Sequence, residues 1–438
     1  MDQLLKAGVG RADITPELGV QLMGYPIEFR HATSVHDNLS ATVLLLEYSC
    51  TKSAIVNLTI GAIDENEANT IKNIIGNKLN IDPSNIIVSI IQTHSAPNTF
   101  DLWGWSDKNE DYCNGVVRPA ILKAALEAEQ KKKPCRVGIG TVNSKVGINR
   151  REILEDGRVI LGQNPWGPYD PTMTVISFVS NNSPVANIIH YGAHPTSAGG
   201  NTEITRDWPG IMTDKLESIT GGVTFFMNGA VGDVGPRLSN GKTTGEDISY
   251  VHEIGNRAGF DAIKAFNTIK EYRELDLEVI SEKIFMPYRP SPSFETAKQK
   301  LITSEKSKNK AGLAKAEYLF WKHLVGEYEK GDIKTGRFFD QTIIRIGPIT
   351  IVPFPGEPFS EIVLRIREYS PYQYTLCIST CNGGMGYFAT RDSLHRGGYE
   401  VEVAKAFSPY LMVENIDDIL VQENLKLLRN MKCFSTRG

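Results

Sequence analysis

Five apolar, strand-length runs in this 438-residue chain each end in a polar turn that contains glycine or proline. The turns carry histidine, aspartate, glutamate, asparagine or tyrosine, at 92–97, 190–197, 228–236, 354–358 and 380–387. In α/β sheets, ligands bind outside the carboxyl ends of the strands. Two histidines, one glutamate and one tyrosine converging on one sheet edge would suit a Zn²⁺ ion with an open position for water. Such an ion polarises a carbonyl and lowers the pKa of its water to about 7.

Each of these residues also has an ordinary structural explanation when it is taken singly. A lone histidine near a strand end is more often a satisfied structural residue than a ligand, and Pro355-Gly356-Glu357 is a common way to start a helix. The chain contains no HExxH metal motif, no P-loop and no GxSxG elbow. The metal site therefore depends on whether the turns come together in the fold.

The elements that must position these turns alternate along the chain. Runs rich in Val and Ile are typical of buried strands, and they lie at 42–46, 54–60, 86–91, 174–179, 185–191, 223–227, 349–354 and 374–379. Helical patterns fall between several of them, at 65–79, 117–130, 209–219 and 358–368. The alternation predicts an α/β fold with a mixed β-sheet in a single domain, 1–438. The charged stretch at about 271–340 is predicted to be a helical hairpin or lid on that domain.

Composition excludes several classes of function. A formal net charge of −4 argues against a dedicated nucleic-acid binder, which needs a basic face. No run approaches the roughly 18 apolar residues of a transmembrane helix, and the first residues lack the apolar stretch of a signal peptide. The six cysteines include no CxxC pair, which is typical of reduced thiols. We therefore expect a cytoplasmic protein that acts on a small molecule.

Short motifs follow one another in a fixed order over nearly the whole chain except the charged stretch. They lie at 8–16, 23–25, 36–39, 93–97, 149–150, 169–171, 194–197, 232–236 and 355–357, and at Tyr387 and Tyr399. In this order they resemble the neutral/alkaline non-lysosomal ceramidase family. The resemblance implies the catalytic domain of that family, a mixed sheet flanked by helices on both faces, without its C-terminal immunoglobulin-like domain.

The resemblance also implies roles for individual residues. The family holds one Zn²⁺ ion with two His, one Glu and one Tyr, and His194, Glu357 and Tyr387 correspond to three of these ligands. Arg150 and Tyr399 correspond to the groups that bind the substrate carbonyl. Such donors stabilise the negative charge that develops on the carbonyl oxygen.

Two positions depart from the family pattern. The family usually reads His-Thr-His-Ser-Gly-Pro, and Gln92 stands at the first His. Zn²⁺ is the expected cofactor, and either His94 or His190 could supply the ligand that Gln92 replaces. Gly235 stands where some mechanisms place a nucleophilic serine, so a metal-bound water or an external amine would have to attack.

The leading hypothesis is a metal-dependent amidohydrolase that cleaves a small N-acylated or peptide-like molecule. Arg150 and Tyr399 would stabilise the oxyanion, and Asp233 or a spare histidine would orient the water. The metal would be held by His94, His194, Glu357 and Tyr387. Ceramide itself is not expected as the substrate, because the chain has no membrane-docking segment.

Two other functions remain open from the sequence. The same site could form amides, with an amine replacing water, or the chain could be a catalytically degenerate member that binds a small ligand. The aromatic stretch Trp103–Trp105 could line a substrate pocket or anchor a surface loop.

Overall fold

The computed structural model describes residues 4–27, 30–105 and 107–432. The described strands are β1 (Lys6–Asp13), β2 (Ser34–Val35), β3 (Ser40–Tyr48), β4 (Thr51–Leu58), β5 (Ile86–Ile90), β6 (Lys133–Pro134), β7 (Arg136–Asn143), β8 (Gly147–Ile153), β9 (Val159–Asn164), β10 (Thr172–Ser180), β11 (Ser183–Tyr191), β12 (Glu203–Ile204), β13 (Val223–Asn228), β14 (Val234–Pro236), β15 (Leu277–Pro287), β16 (Gly336–Ile346), β17 (Ile349–Pro353), β18 (Glu357–Pro358), β19 (Tyr374–Ile378) and β20 (Tyr387–Phe388). The described α-helices are α1 (Glu65–Leu79), α2 (Glu110–Tyr112), α3 (Arg118–Lys131), α4 (Asp207–Thr220), α5 (Ile248–Asn267), α6 (Phe294–Ser304), α7 (Leu313–Lys330), α8 (Ser360–Tyr369), α9 (Arg391–Arg396), α10 (Tyr399–Glu402) and α11 (Ile416–Asn430).

Three main sheets share one pattern of strand pairing. Their strand orders are β5-β4-β3-β1-β6, β13-β11-β10-β7 and β15-β16-β17-β19. Each sheet contains one parallel pair: β4 with β5, β11 with β13, and β17 with β19. In the chain, one long helix lies between the two strands of each pair, and these helices are α1, α4 and α8 respectively. Parallel neighbours need such a crossover, whereas the antiparallel neighbours are joined more directly.

The sheets stack in two layers around one shared apolar core. The inner face of the five-stranded sheet, which includes Leu44 and Ile55, packs against both four-stranded sheets, for example against Ile188 and Ile351. Each outer face is covered by a helix pair, α1 with α3, α4 with α5, or α8 with α11. The predicted α/β class, with mixed sheets flanked by helices on both outer sides, is confirmed. The strands are divided among several sheets, because each apolar run is covered by a different pair of neighbours.

The parallel pairs place three edge strands, β5, β13 and β19, side by side. Asn228, the last residue of β13, donates from Nδ2 to the Ile91 carbonyl just beyond β5, at 3.0 Å, and accepts from the Ser379 amide just beyond β19, at 2.8 Å. Asn382 closes the third side, because its amide donates to the Val88 carbonyl and its Oδ1 accepts from the Val88 amide. The carboxyl ends of three strands from three sheets therefore meet at one place.

The charged stretch at 271–340 contains the long strand β15 and the first residues of β16 besides its helices. β15 and β16 pair in antiparallel register over their full length, and α6 and α7 pack against each other between them in the chain. The sequence pattern predicted only helices here, because most side chains of β15 are partly exposed and its polar residues resemble a solvated surface. The helical part of the stretch is confined to 294–330.

Other local expectations can be compared directly with the structure. The helix expected at 358–368 begins at Ser360, and Pro358 belongs to the short strand β18. The five cysteines among the described residues are free, and Cys433 lies outside the described residues. In the described part of the chain, no helix is both long enough and apolar enough to span a membrane.

Candidate functional site

The junction of the three edge strands holds a buried histidine–glutamate pair. His194 follows β11, and Glu357 lies in β18, where it is in register with Tyr387 of the parallel strand β20. His194 Nε2 lies 3.1 Å from Glu357 Oε2, and Oε2 has no hydrogen-bond partner. His194 Nδ1 lies 2.7 Å from the Val231 carbonyl, which can only accept, so Nδ1 carries a proton, and Nε2 is the ring nitrogen that faces Glu357.

This pair has the donor chemistry of a metal site. A second hydrogen bond that fixes the ring is the usual arrangement for a histidine that binds a metal. Two ligand atoms on a tetrahedral Zn²⁺ ion are about 3.3 Å apart, close to the separation of His194 Nε2 and Glu357 Oε2. Glu357 Oε2 has no hydrogen-bond partner, so it is available to a ligand.

A buried arginine lies beside the pair. Arg150 is on β8, where its Nε donates to Glu400 Oε1 at 2.9 Å and its Nη2 donates to the Gly232 carbonyl at 2.9 Å. Glu400 Oε2 accepts from Arg151 Nη1 at 2.6 Å, so one buried carboxylate serves two guanidinium groups. These contacts fix the orientation of Arg150. Neither of its two hydrogen bonds, to Glu400 and to the Gly232 carbonyl, uses the Nη1 hydrogens.

Two tyrosines complete this side of the site. The Arg150 guanidinium carbon lies 5.5 Å from the centre of the Tyr387 ring, and the Tyr387 and Tyr399 rings are 6.4 Å apart. Burial, reinforced by Glu357, holds the pKa of Tyr387 well above its ordinary value. Burial also raises the pKa of Tyr399 to about 12. Both phenols therefore carry their protons near neutral pH and can donate hydrogen bonds.

Gln92 and His94 approach from the end of β5. The His94 ring lies 5.9 Å from the His194 ring, and burial together with His194 lowers the pKa of His94 well below its ordinary value, so it is neutral. Gln92 has a φ of +68° and a buried Oε1 without a hydrogen-bond partner. Because β5 ends at Ile90 and Gln92 is left-handed, strand alternation does not set the directions of these side chains.

The ligand set differs from the expected one in a specific way. Within the described ranges, no group of three His, Cys, Asp or Glu side chains is arranged to hold a metal. His94 therefore does not join His194 and Glu357 in a three-ligand cluster. A metal at this pair would need oxygen ligands, and Tyr387, in register with Glu357, has a phenol of that chemistry.

His190 and Asp233 have structural contacts. His190 Nε2 lies 2.8 Å from the Cys377 carbonyl, so this ring connects β11 to β19. Asp233 Oδ1 accepts from both the amide and the hydroxyl of Ser360, at 2.8 Å each, and its Oδ2 accepts from Asn149. Burial raises the pKa of Asp233 to about 6. These contacts position neighbouring elements, and neither side chain is brought to the His194–Glu357 pair.

Two solved structures have a similar fold over the entire chain. Neutral ceramidase from Pseudomonas aeruginosa matches with a TM-score of 0.73 at 19% sequence identity, covering 100% of this chain and 77% of that chain. The chain has the neutral ceramidase fold. A structure of a ceramidase complexed with C2 matches with the same TM-score, identity and coverage. No protein-family model and no curated protein matches the sequence. The resemblance to neutral ceramidases is confirmed at the level of the fold.

Within this ceramidase fold, Tyr25 contacts His94, and the sequence pattern did not single it out for a role. Its ring meets the His94 ring edge-on at 5.2 Å, and its Oη is buried without a hydrogen-bond partner. The Arg30 guanidinium lies over the Tyr25 ring at 5.1 Å. The only signal in the sequence was the position of Tyr25 beside Gly24 in one of the ordered motifs.

The helical hairpin borders the same site of the ceramidase fold. Tyr387 and Tyr399 pack in one apolar cluster with Leu102, Trp105, Leu313 of α7 and Phe407. Trp103 stacks on His323 of α7 at 4.2 Å, with the rings nearly parallel. Trp103 therefore anchors its loop, and Trp105 packs against the same small cluster of Ala316, Val403 and Ala406 as the two tyrosines.

A close backbone approach at Gly24 sets the position of His94 and gives a first prediction. Gly24 has a φ of +105°, and a Cβ there would lie 2.5–2.6 Å from atoms of the His94 side chain. We expect Gly24→Ala to destabilise the protein by roughly 2–4 kcal/mol, because it adds this clash to the cost of a positive φ. Gly19→Ala is the matched control, since Gly19 has a φ of +89° but open space around its Cβ position. Urea denaturation of both variants measures the difference, and equal losses would contradict the clash.

Proposed function

We propose that this chain hydrolyses the amide bond of a small N-acylated or peptide-like molecule. The observation that carries the proposal is the buried pair His194 Nε2 and Glu357 Oε2, 3.1 Å apart, in which Oε2 has no hydrogen-bond partner. A guanidinium group and two protonated phenols surround the pair. A histidine nitrogen and a carboxylate oxygen that can bind a metal ion, next to fixed hydrogen-bond donors, are the groups that amide hydrolysis requires.

The residues present fit a divalent metal ion. His194, Glu357 and Tyr387 would hold it, with Gln92 Oε1 as the further oxygen ligand, since that atom is buried and unpaired. A Zn²⁺ ion so held would polarise the substrate carbonyl and lower the pKa of a water molecule.

Arg150 and Tyr399 are assigned to the substrate carbonyl oxygen. Arg150 is held in advance by Glu400 and the Gly232 carbonyl, so it loses little freedom when substrate binds. The Tyr399 phenol keeps its proton and can donate to the same oxygen as negative charge develops there. Removing one such donor typically costs about 10²–10³ in kcat.

Position 235 supports direct attack by water. A Cβ at Gly235 would lie 2.5 Å from Thr243 Cβ, so this position has no room for a serine side chain. An acyl-enzyme at this position is therefore ruled out sterically as well as chemically. The cytoplasmic location and the exclusion of ceramide stay predictions.

Metal analysis and an amidase assay on protein purified without a histidine tag test the proposal together. We expect the protein to bind zinc and to release amine from members of an N-acyl panel. We expect Gln92→His to bind zinc at least about tenfold more tightly, because imidazole replaces a weak amide ligand.

Three other outcomes would change the assignment. Incorporation of an added amine in preference to water would favour the amide-forming alternative. Thermal stabilisation by panel members without turnover would favour a ligand-binding protein. Failure of both proteins to bind zinc, with no turnover, would contradict the metal-dependent hydrolase.

A further inference from the structure

We propose that His36 and His252 form a metal site that is separate from the His194–Glu357 pair. It would take a divalent ion of the kind that prefers imidazole nitrogen, such as Ni²⁺, Cu²⁺ or Zn²⁺. His36 directly follows β2, which pairs with β12, and His252 lies near the start of α5. An ion held by both side chains would therefore connect this small sheet to a long helix.

The first observation is that two ring nitrogens face each other. His36 Nε2 lies 3.2 Å from His252 Nε2, and the ring centres are 5.1 Å apart with an angle of 75° between the ring planes. Metal–nitrogen bonds of about 2.0–2.1 Å place two nitrogen ligands of a tetrahedral Zn²⁺ ion about 3.3 Å apart. The separation of the two nitrogens is therefore close to that of two ligands of one ion.

The second observation is that a carboxylate orients the His36 ring. His36 Nδ1 lies 2.8 Å from Asp37 Oδ2, which can only accept, so Nδ1 carries a proton and Nε2 is the ring nitrogen that faces His252. Asp37 is itself held, because Oδ1 accepts from the Arg206 amide at 3.0 Å and from Arg206 Nε at 2.6 Å, and Oδ2 accepts from the Thr205 hydroxyl. A carboxylate on the second ring nitrogen is the usual partner of a histidine that binds a metal.

The third observation is that both histidines lie on well-fixed backbone. The His36 amide donates to the Ile204 carbonyl at 2.9 Å, beside the last residue of β2. The helix that carries His252 begins at Asp247, whose side chain accepts from the Ser249 amide, and it packs against α4. Because the two histidines are 216 positions apart in the chain, only the folded protein brings them together.

Exposure of the pair decides which ions it can bind. His252 is exposed and the His36 side chain is 19% exposed, so an ion and its water ligands can reach both nitrogens. Among the residues that the structure describes, no third His, Cys, Asp or Glu is arranged to join them, so water would complete the coordination. Two imidazoles select Ni²⁺, Cu²⁺ or Zn²⁺ over Mg²⁺, which prefers oxygen. With two protein ligands the ion should leave on dialysis, so this site should not add to the zinc content of the purified protein.

Calorimetric titration with Ni²⁺ tests the site on chelator-treated protein without a histidine tag. We expect the wild type to bind Ni²⁺ at this site at least about tenfold more tightly than His252→Gln or His36→Gln, since each variant removes one of two imidazole ligands. His395→Gln is the matched control, because His395 is an exposed histidine of α9 that lies 3.8 Å from Glu414. Unchanged binding in both His252→Gln and His36→Gln would overturn the inference and leave the contact as a hydrogen bond between two imidazoles.

The same titration separates this site from the His194–Glu357 pair. Glu357→Gln should keep the Ni²⁺ that is lost in His252→Gln, because the carboxylate of Glu357 belongs to the other site. Loss of that Ni²⁺ in Glu357→Gln, with His252→Gln unaffected, would place the ion at the His194–Glu357 pair and overturn the inference.

Thermal denaturation gives a second test that does not depend on activity. We expect saturating Ni²⁺ to raise the melting temperature of the wild type by about 2 °C or more, because the ion binds the folded chain in preference to the unfolded one. His252→Gln should melt like the wild type without metal, since His252 is exposed, and should show no shift with Ni²⁺. Mg²⁺ is the control ion. An equal shift with Mg²⁺, or an equal shift with Ni²⁺ in His252→Gln, would contradict a site formed by the two histidines.

Discussion

Replacing Glu357 by glutamine lowers the rate of amide hydrolysis by about a thousandfold or more, while the free energy of unfolding changes by less than about 1 kcal/mol. The loss is expected because Glu357 Oε2 is the charged oxygen of the buried pair with His194. Stability is expected to survive because Oε2 has no hydrogen-bond partner in the folded chain, and glutamine has nearly the same shape.

Three measurements on one preparation check this result: steady-state hydrolysis, zinc content and urea denaturation. The variant should lose zinc together with activity. Glu361→Gln is the control, because Glu361 is an exposed residue in the first turn of α8 and should leave both properties unchanged. An active Glu357→Gln protein would remove the basis for the proposed function. An unfolded one would show that Glu357 is structural.

Replacing Glu400 by glutamine lowers the free energy of unfolding by about 3–5 kcal/mol. Glu400 is the buried carboxylate between Arg150 and Arg151, with contacts of 2.9 Å and 2.6 Å. Its removal leaves two buried guanidinium groups without their counter-ion, and an uncompensated buried charge is costly. Glutamine also turns an N–H₂ group toward donors that need an acceptor.

Urea and thermal denaturation measure the loss, with Asp156→Asn as the control. Asp156 pairs with Arg158 at 2.7 Å, but both side chains are more than half exposed, so the pair is worth less than about 1 kcal/mol. Equal losses in the two variants would contradict the role of Glu400. We also expect Glu400→Gln to reduce hydrolysis in the fraction that remains folded, because Arg150 loses the contact that orients it.

The strands that lead to the site could be recognised from the sequence alone. A strand covered on both faces is a continuous run of Val and Ile, and glycine or proline marks its end. Both signals can be read from a short segment of the sequence. Together with the order of the motifs, these signals were enough to propose His194, Glu357 and Tyr387 as neighbours. The strand β15 was missed for the opposite reason, since its partial exposure removed the apolar signal, and its partner β16 was missed with it although the second half of β16 is buried.

The contacts between distant residues could not be predicted in this way. Glu400 is about 250 positions from the two arginines that it serves, and no short pattern around any of the three residues indicates the partnership. The structural contacts of His190 and Asp233 are equally non-local, because their partners Cys377 and Ser360 belong to another sheet and its helix.

The sequence by itself therefore determined the α/β class, the strand ends that carry polar groups and the order of motifs that resembles the ceramidase family. Those features depend on backbone preference and on the alternation of buried residues, which a short segment encodes. Only the tertiary structure decided that three sheets meet at one junction, and which polar atoms there have no partner within the protein. Gln92 Oε1 and Glu357 Oε2 became candidates for ligand binding because neither atom has a hydrogen-bond partner in the folded chain. Whether a buried group is satisfied depends on every segment packed around it, and no segment contains that information alone.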